Sequence, residues 1–107
     1  MTPSTTRRIT IAGPAGPLEV VHNVPEAPFA GIALVAHPNP VQGGTLDNKV
    51  VQTLAKVFFN LRYVPVRFNY RGVGQSAGTY DHGIGETDDA LAALADARAT
   101  YGEALPI

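Results

Sequence analysis

Cysteine is absent from this chain of 107 residues. Its absence excludes a disulfide framework, a thiolate zinc site and a thiol nucleophile, and it fits a reducing compartment. Long apolar runs are missing as well, since no stretch approaches the roughly 20 residues that a membrane-spanning helix needs. The apolar stretch after Arg8 breaks at Gly13 and Pro14, too early for a signal peptide. We therefore expect a cytoplasmic protein that does not bind membranes.

Runs of a single charge are also missing. The formal net charge is -1, and no cluster of like charges fits a nucleic acid or an anionic membrane, so neither is an expected partner. Hydrophobic residues make up 45% and charged residues 16%, which is typical of a folded globular chain. At this length we expect residues 1–107 to form a single domain.

The first third of the chain shows strand patterns. Arg8–Ala12 alternates polar and apolar residues, and Leu18–His22 resumes a β-rich pattern after the turn residues 13–16. These two segments predict an antiparallel hairpin. Gly31–Ala36 is a continuous apolar run, which predicts a strand covered on both faces and placed centrally in a parallel sheet.

Helical and strand patterns alternate in the rest of the chain. Thr45 is a candidate N-cap for a first amphipathic helix, whose apolar residues at helical spacing are Val50, Val51, Leu54, Phe58 and Leu61. A strand at Val64–Asn69 and a loop from Arg71 to Gly83 follow. A second helix begins among acidic residues and ends at Gly102, with an expected inward set of Leu91, Leu94, Ala95 and Tyr101.

This order predicts an α/β fold, with an N-terminal antiparallel hairpin followed by parallel strands and right-handed crossover helices. Leu105–Ile107 has the pattern of a strand that is just beginning. We therefore expect an open sheet edge, which other protein would normally pair or cover.

Ligands of such sheets bind beyond the carboxyl ends of the strands, where the loop from His37 to Thr45 begins. Pro38 and Pro40 have no N–H, so Asn39 is the first residue beyond His37 that can donate a backbone hydrogen bond. Prolines and the pair Gly43 and Gly44 suit a loop that fixes a backbone N–H, as an oxyanion hole requires. The alternative is an ordinary tight connection before a capped helix.

The second loop contains Gly74-Gln75-Ser76-Ala77-Gly78, which matches the G-x-S-x-G pattern of a nucleophile elbow. An elbow places its serine directly between a strand and a helix, whereas this serine has loop residues on both sides. Asp81 and His82 are also neighbours in sequence, a poor arrangement for a triad. We therefore expect Ser76 not to be a nucleophile.

Other motifs are weaker. The glycines of the second loop match a dinucleotide fingerprint only loosely, the histidines at 22, 37 and 82 are too scattered for a metal site, and Asp81 and Glu86 fit helix capping. No cofactor, no metal and no catalytic residue is assigned within the chain.

Three segments, Ala36–Val51, Arg67–Ser76 and Asp81–Glu86, together resemble the small bacterial α/β-hydrolases related to dienelactone hydrolases. The resemblance implies the N-terminal half of that fold, with the sheet ending before the strand that presents the nucleophile. It implies that the triad lies beyond Ile107, that Arg71, Gly72, Gly74 and Ser76 form a structural loop, and that the oxyanion-hole loop carries His37, Asn39, Gly43 and Gly44.

Two residues depart from the family pattern. Asn39 stands where relatives often have a second histidine, which bears on the oxyanion geometry. Arg62 stands where a glycine often ends the first helix, and this costs up to about 1 kcal/mol if the position needs a left-handed backbone.

The leading hypothesis is the N-terminal part of a serine-type, esterase-like hydrolase, inactive alone, whose complete enzyme acts on a small-molecule ester or similar acyl bond. The second is a non-catalytic binding or assembly module that completes its sheet with another chain, self-association included. The third is a minimal esterase that uses Ser76.

Overall fold

The computed structural model describes residues 5–37 and 44–107. These residues form a sheet of four strands and two helices, in the order β1 (Thr5–Gly13), β2 (Gly16–Val24), β3 (Gly31–Val35), α1 (Lys49–Asn60), β4 (Tyr63–Phe68) and α2 (Ile84–Tyr101). The predicted α/β fold with an N-terminal hairpin is confirmed, and the loop between β4 and α2 lies where the sequence placed it.

Within the sheet, β4 lies between β2 and β3, in the order β1-β2-β4-β3. The pairing of β3 with β4 is parallel, whereas β1 with β2 and β2 with β4 are antiparallel. The prediction that Gly31–Ala36 is central was wrong for the described residues, because β4 returns between β2 and β3 and leaves β3 at the edge. The Ile32 N–H donates to the Pro106 carbonyl at 2.8 Å, so the C-terminal residues begin to contact this edge.

The two faces of the sheet are covered by different helices. Successive residues of a strand point to opposite faces, so the pair Val20 and Phe68 faces away from the neighbouring pair Val21 and Arg67. On the first face, α2 packs in a core formed by Leu18, Val20, Ile32, Val66, Phe68, Ala93 and Ala97. On the other face, α1 buries Val51 and Ala55.

The predicted buried faces of both helices need correction. In α1, Val50, Leu54 and Leu61 are 65%, 43% and 58% exposed, although their spacing suggested a buried face. In α2 the small residues Ala93 and Ala97 are buried while Leu91 is exposed, because a close approach to the sheet favours small side chains. The predicted end of α2 at Gly102 is confirmed.

The N-cap of α1 is Asn48 rather than Thr45. The Asn48 Oδ1 accepts hydrogen bonds from the N–H groups of Val50 at 2.9 Å and Val51 at 3.4 Å. The Thr45 hydroxyl accepts from the Asp47 N–H at 3.2 Å, one turn earlier, so it shapes the approach to the helix instead. Asparagine and threonine are both favoured at N-cap positions. Because the helix begins at Lys49, the residue before it, Asn48, is the N-cap.

Arg62 has a φ of 65°, so the position after α1 does need the left-handed backbone on which the cost of a non-glycine residue depends. Its N–H donates to Phe59 and its carbonyl accepts from Ala30, so the surrounding hydrogen bonds fix this conformation. The side chain is exposed, and replacing it removes little packing.

We therefore predict that Arg62→Gly raises the free energy of unfolding by about 0.5–1 kcal/mol, because glycine adopts positive φ without a steric cost. Urea denaturation followed by circular dichroism measures the change. Arg62→Ala is the matched control, since it loses the same side chain and keeps the Cβ. Equal stabilities for the glycine and alanine variants would contradict the argument.

Candidate functional site

The carboxyl ends of β3 and β4 place His37 against Tyr70. The His37 side chain is buried, and its Nε2 accepts a hydrogen bond from the Tyr70 N–H at 3.1 Å. The two rings also meet edge to face, with centroids 4.6 Å apart. A ring nitrogen that accepts a hydrogen bond carries no proton, so this contact holds the imidazole in one tautomer and anchors the start of the loop that follows β3.

Asn69, the residue after β4, joins three segments of the chain. Its Oδ1 accepts from the Leu46 N–H at 2.8 Å, and its Nδ2 donates to Glu19 at 2.7 Å. Asn69 and Leu46 are both buried. The approach to α1 is therefore fixed relative to β2 and β4 from within the protein.

Glu19 is a buried carboxylate with three donors. It accepts from the Nδ2 of Asn69, from the Gln75 N–H at 3.0 Å and from the Arg8 guanidinium at 2.6 Å. Burial alone would raise the pKa of Glu19, but these hydrogen bonds and the charge of Arg8 outweigh it and hold the pKa below its usual value. Glu19 is therefore ionised at neutral pH.

The Ser76 hydroxyl is buried and bonded on both sides. It donates to the Asn69 carbonyl at 2.6 Å and accepts from the Glu19 N–H at 2.9 Å. Two residues earlier, Gly74 has a φ of 53°. A Cβ at this position would lie 2.5 Å from the Asn69 side chain and 2.6 Å from the Glu19 side chain, so only glycine fits there. That Ser76 is not a nucleophile stays a prediction, and these contacts favour it.

Arg71 ties the loop after β4 to α2. Its Nε and Nη2 donate to the two oxygens of Asp89 at 3.1 and 3.0 Å, and Nη2 also donates to the Gly85 carbonyl at 2.8 Å. The hydrogen bonds to Asp89 raise the pKa of Arg71 further. Nearby, Gly72 has a φ of 79°, which glycine adopts without strain.

Two carboxylates cap the N-terminal end of α2. Glu86 accepts from the N–H groups of Asp81 at 2.8 Å and Gly83 at 2.9 Å, and Asp81 accepts from the Gly85 N–H at 2.9 Å. The capping role predicted for Asp81 and Glu86 is confirmed. Both carboxylates are thus engaged by backbone groups rather than paired with each other.

An open cavity of about 450 Å³ lies at this edge of the sheet, and its walls include His37, Tyr70, Tyr80, His82 and Glu86. The rings of Tyr80 and His82 meet edge to face at 4.9 Å, and His82 has a φ of 53°. Burial raises the pKa of Tyr70, with Glu86 and Asp89 adding to the effect, so its phenol is protonated at neutral pH. The cavity has the size of a small-molecule site.

The residues assigned to the oxyanion-hole loop divide into two groups. His37 lies on the cavity wall, and Gly44 is buried next to Thr45 and Leu46, where the chain enters α1. Asn39 and Gly43 lie outside the described residues, so their roles stay predictions. Within residues 5–37 and 44–107, no three histidine or acidic side chains come together as a metal site would need.

Glu19 and Asp89 were not singled out from the sequence as residues of this site. Glu19 is a charged residue within an otherwise apolar stretch, Leu18–Val21, and that interruption is the signal that could have identified it. Asp89 has no such signal, because it stands at the end of the acidic stretch that begins the second helix. The helices described here include none that is both long and apolar enough to span a bilayer.

No family model matches the chain. An uncharacterised protein, RP471 of Rickettsia prowazekii, is 44% identical over 87 residues, which are 81% of this chain and 37% of that protein. An α/β serine hydrolase homologue from Coxiella burnetii superimposes with a TM-score of 0.84 and 43% identity, over 89% of this chain and 46% of the homologue. XC6422 from Xanthomonas campestris, described as an α/β serine hydrolase without a lid, gives a TM-score of 0.80 and 44% identity, over 92% of this chain and 47% of XC6422.

The chain is a partial α/β-hydrolase. Its open mixed sheet and two helices match the N-terminal part of that fold, and the chain spans less than half the length of the proteins reported above. The expected fold and superfamily are therefore confirmed, while the closer relation to dienelactone hydrolases stays a prediction.

We predict that Glu19→Gln lowers the free energy of unfolding by about 1–3 kcal/mol at neutral pH, because charge-assisted hydrogen bonds are replaced by a neutral amide that also brings donors. The folded-state pKa of Glu19 lies below the ordinary value of 4.5, so its contribution is present above that pH and is lost as the pH falls through the folded pKa. The stability difference should therefore shrink below pH 4.5.

Urea denaturation between pH 3 and 7, a range chosen about the ordinary carboxyl pKa, measures this difference. Glu103→Gln is the control, since that residue is exposed after α2. A Glu19→Gln deficit that is constant across the range would show that the charge of Glu19 does not contribute.

Proposed function

We propose that this chain forms the oxyanion side of a serine-type α/β-hydrolase that cleaves an ester or a similar acyl bond of a small molecule. The observation that carries the proposal is the position of His37. Its imidazole is fixed by Tyr70 at the carboxyl edge of the sheet, on the wall of a cavity and at the start of the proline- and glycine-rich loop. Ligands of open α/β sheets bind at this edge.

In this proposal the loop supplies backbone N–H groups to the oxygen that becomes negative when the acyl carbon is attacked. Such donors act because they are held in place before the reaction. Asn39 is the first candidate donor, and the buried contacts of His37 and Asn69 hold the two ends of the loop. The serine, acid and histidine of the triad would come from the part of the fold that lies outside this alignment.

A chimera tests the proposal directly. Residues 5–107 replace the matched N-terminal part of XC6422, which is 44% identical to this chain over the aligned region. We expect the chimera to hydrolyse p-nitrophenyl acetate and the 107-residue chain alone to leave it at the uncatalysed rate. A folded but inactive chimera would overturn the proposal, as would Ser76-dependent hydrolysis by the chain alone.

Two variants of the chimera separate the roles of its residues. His37→Ala should lower kcat at least tenfold and change KM little, because a loosened loop loses an interaction made in the transition state, where one donor is worth roughly 100-fold or more. Ser76→Ala should leave kcat per folded molecule unchanged. Circular dichroism of each variant gives the folded fraction.

A second candidate function is assembly through the edge of β3. It is favoured by the apolar side chains that α1 leaves exposed, namely Val50, Leu54, Val57 and Leu61, which lie three or four residues apart. A cavity that includes Ile32, Leu34 and Phe58 continues this surface along β3. Burying such a surface against a second copy would be favourable.

For assembly we expect the chain to form dimers in size-exclusion chromatography with light scattering, and Leu54→Lys to shift it towards monomer. Leu91→Lys is the matched control, since Leu91 is exposed on α2, the helix on the other face. A wild-type chain that is monomeric at every concentration would exclude this second function.

A further inference from the structure

We propose that a cavity between α1 and the strands β2 and β4 binds a small organic anion, through a carboxylate or phosphoryl group attached to an apolar body. The cavity has a volume of about 360 Å³ and is distinct from the one beside His37. Its walls include Asn23, Gln52, Lys56, Phe59, Asn60 and Arg67. The size is within the range of small-molecule sites.

The central group is the Arg67 guanidinium. Arg67 is 8% exposed, and its Nη1 donates to the Leu46 carbonyl at 3.2 Å. Its Nη2 makes a long contact of 3.4 Å to the Asn23 side chain, and its buried Nε–H has no hydrogen-bond partner among the described residues. A guanidinium presents Nε and Nη2 side by side, so this edge forms a fork for two oxygens of one anion.

The charge of Arg67 is only partly balanced. Its acidic partner Asp47 lies 3.8 Å from Nη1, is 58% exposed at its side chain, and is shared with Arg8 at 3.5 Å. An exposed, shared ion pair contributes little. Burial lowers the pKa of Arg67 more than Asp47 restores it. A buried cation with an unused donor is costly, and an anion in the cavity would relieve that cost.

The remaining walls define the class of ligand. Lys56 adds a second positive charge, and the side chains of Gln52 and Asn60 add amide groups. No acidic side chain belongs to the described walls of this cavity. Phe59 and the buried Ala55 supply an apolar surface, so the fit is to an anion that carries a hydrophobic group rather than to a free inorganic ion.

NMR of the 107-residue chain gives a direct test, because the Nε–H of Arg67 has its own resonance in a nitrogen-proton correlation spectrum. The probes are benzoate, phenyl phosphate, inorganic phosphate and benzyl alcohol. We expect benzoate or phenyl phosphate to shift the Arg67 resonance and to bind at least tenfold more tightly than both inorganic phosphate and neutral benzyl alcohol. Which of the two binds more tightly identifies the head group.

Variants locate the binding. Arg67→Lys keeps the charge and loses the fork, so affinity should fall at least tenfold, as expected for a charged hydrogen bond. Lys56→Gln changes an exposed side chain, which preserves folding, and should weaken binding severalfold. Lys49→Gln, on the same helix but away from the cavity, should leave it unchanged.

An Arg67 resonance that stays fixed with both aromatic anions would overturn the proposal. Equal affinity for benzoate and benzyl alcohol, or equal loss in the Lys49 and Lys56 variants, would do the same.

Discussion

The arrangement of the candidate site depends on one buried carboxylate, that of Glu19. An ionised carboxyl group away from water costs several kcal/mol unless donors surround it, so its partners must stay in place for the chain to fold. Those partners are Asn69 and the Gln75 N–H, both in the segment that follows β4, and Arg8 in β1. Asn69 also accepts a hydrogen bond from the Leu46 N–H, so holding Asn69 in place also fixes the end of the loop that follows His37.

The same network accounts for the residue types of the G-x-S-x-G pattern. Glycine is needed at position 74 because Asn69 and Glu19 occupy the space of a Cβ, and serine is needed at 76 because a small hydroxyl can bridge two backbone groups. A nucleophile elbow uses these residue types for another purpose, to expose an oxygen above the sheet. The residue types agree, whereas the burial of the hydroxyl differs.

The strands and the order of the elements could be predicted because alternation and apolar runs are local signals. The buried faces of the helices could not, since they depend on the neighbouring layer. Leu54 and Ala55 are adjacent in α1, and only contact with the sheet makes the smaller one the buried residue. Similarly, β3 has the apolar composition of a central strand, and its place at the edge follows from the return path of β4.

The loop after β4 contacts β2 and α2, whereas the exposed apolar surface described above lies along α1. Glu19 acts from the β2 side, through contacts that the described residues complete among themselves. The uncovered side chains of α1 and the free edge lie on the β3 side, and in the matched structures more than half of the protein lies outside the alignment. The contacts of the loop after β4, including the one that His37 makes from the end of β3, are completed among the described residues. We therefore expect this loop to keep its shape whether or not the edge of β3 is covered. Under the proposed function, the part of the fold that covers this side would bring the nucleophile to the oxyanion-hole loop.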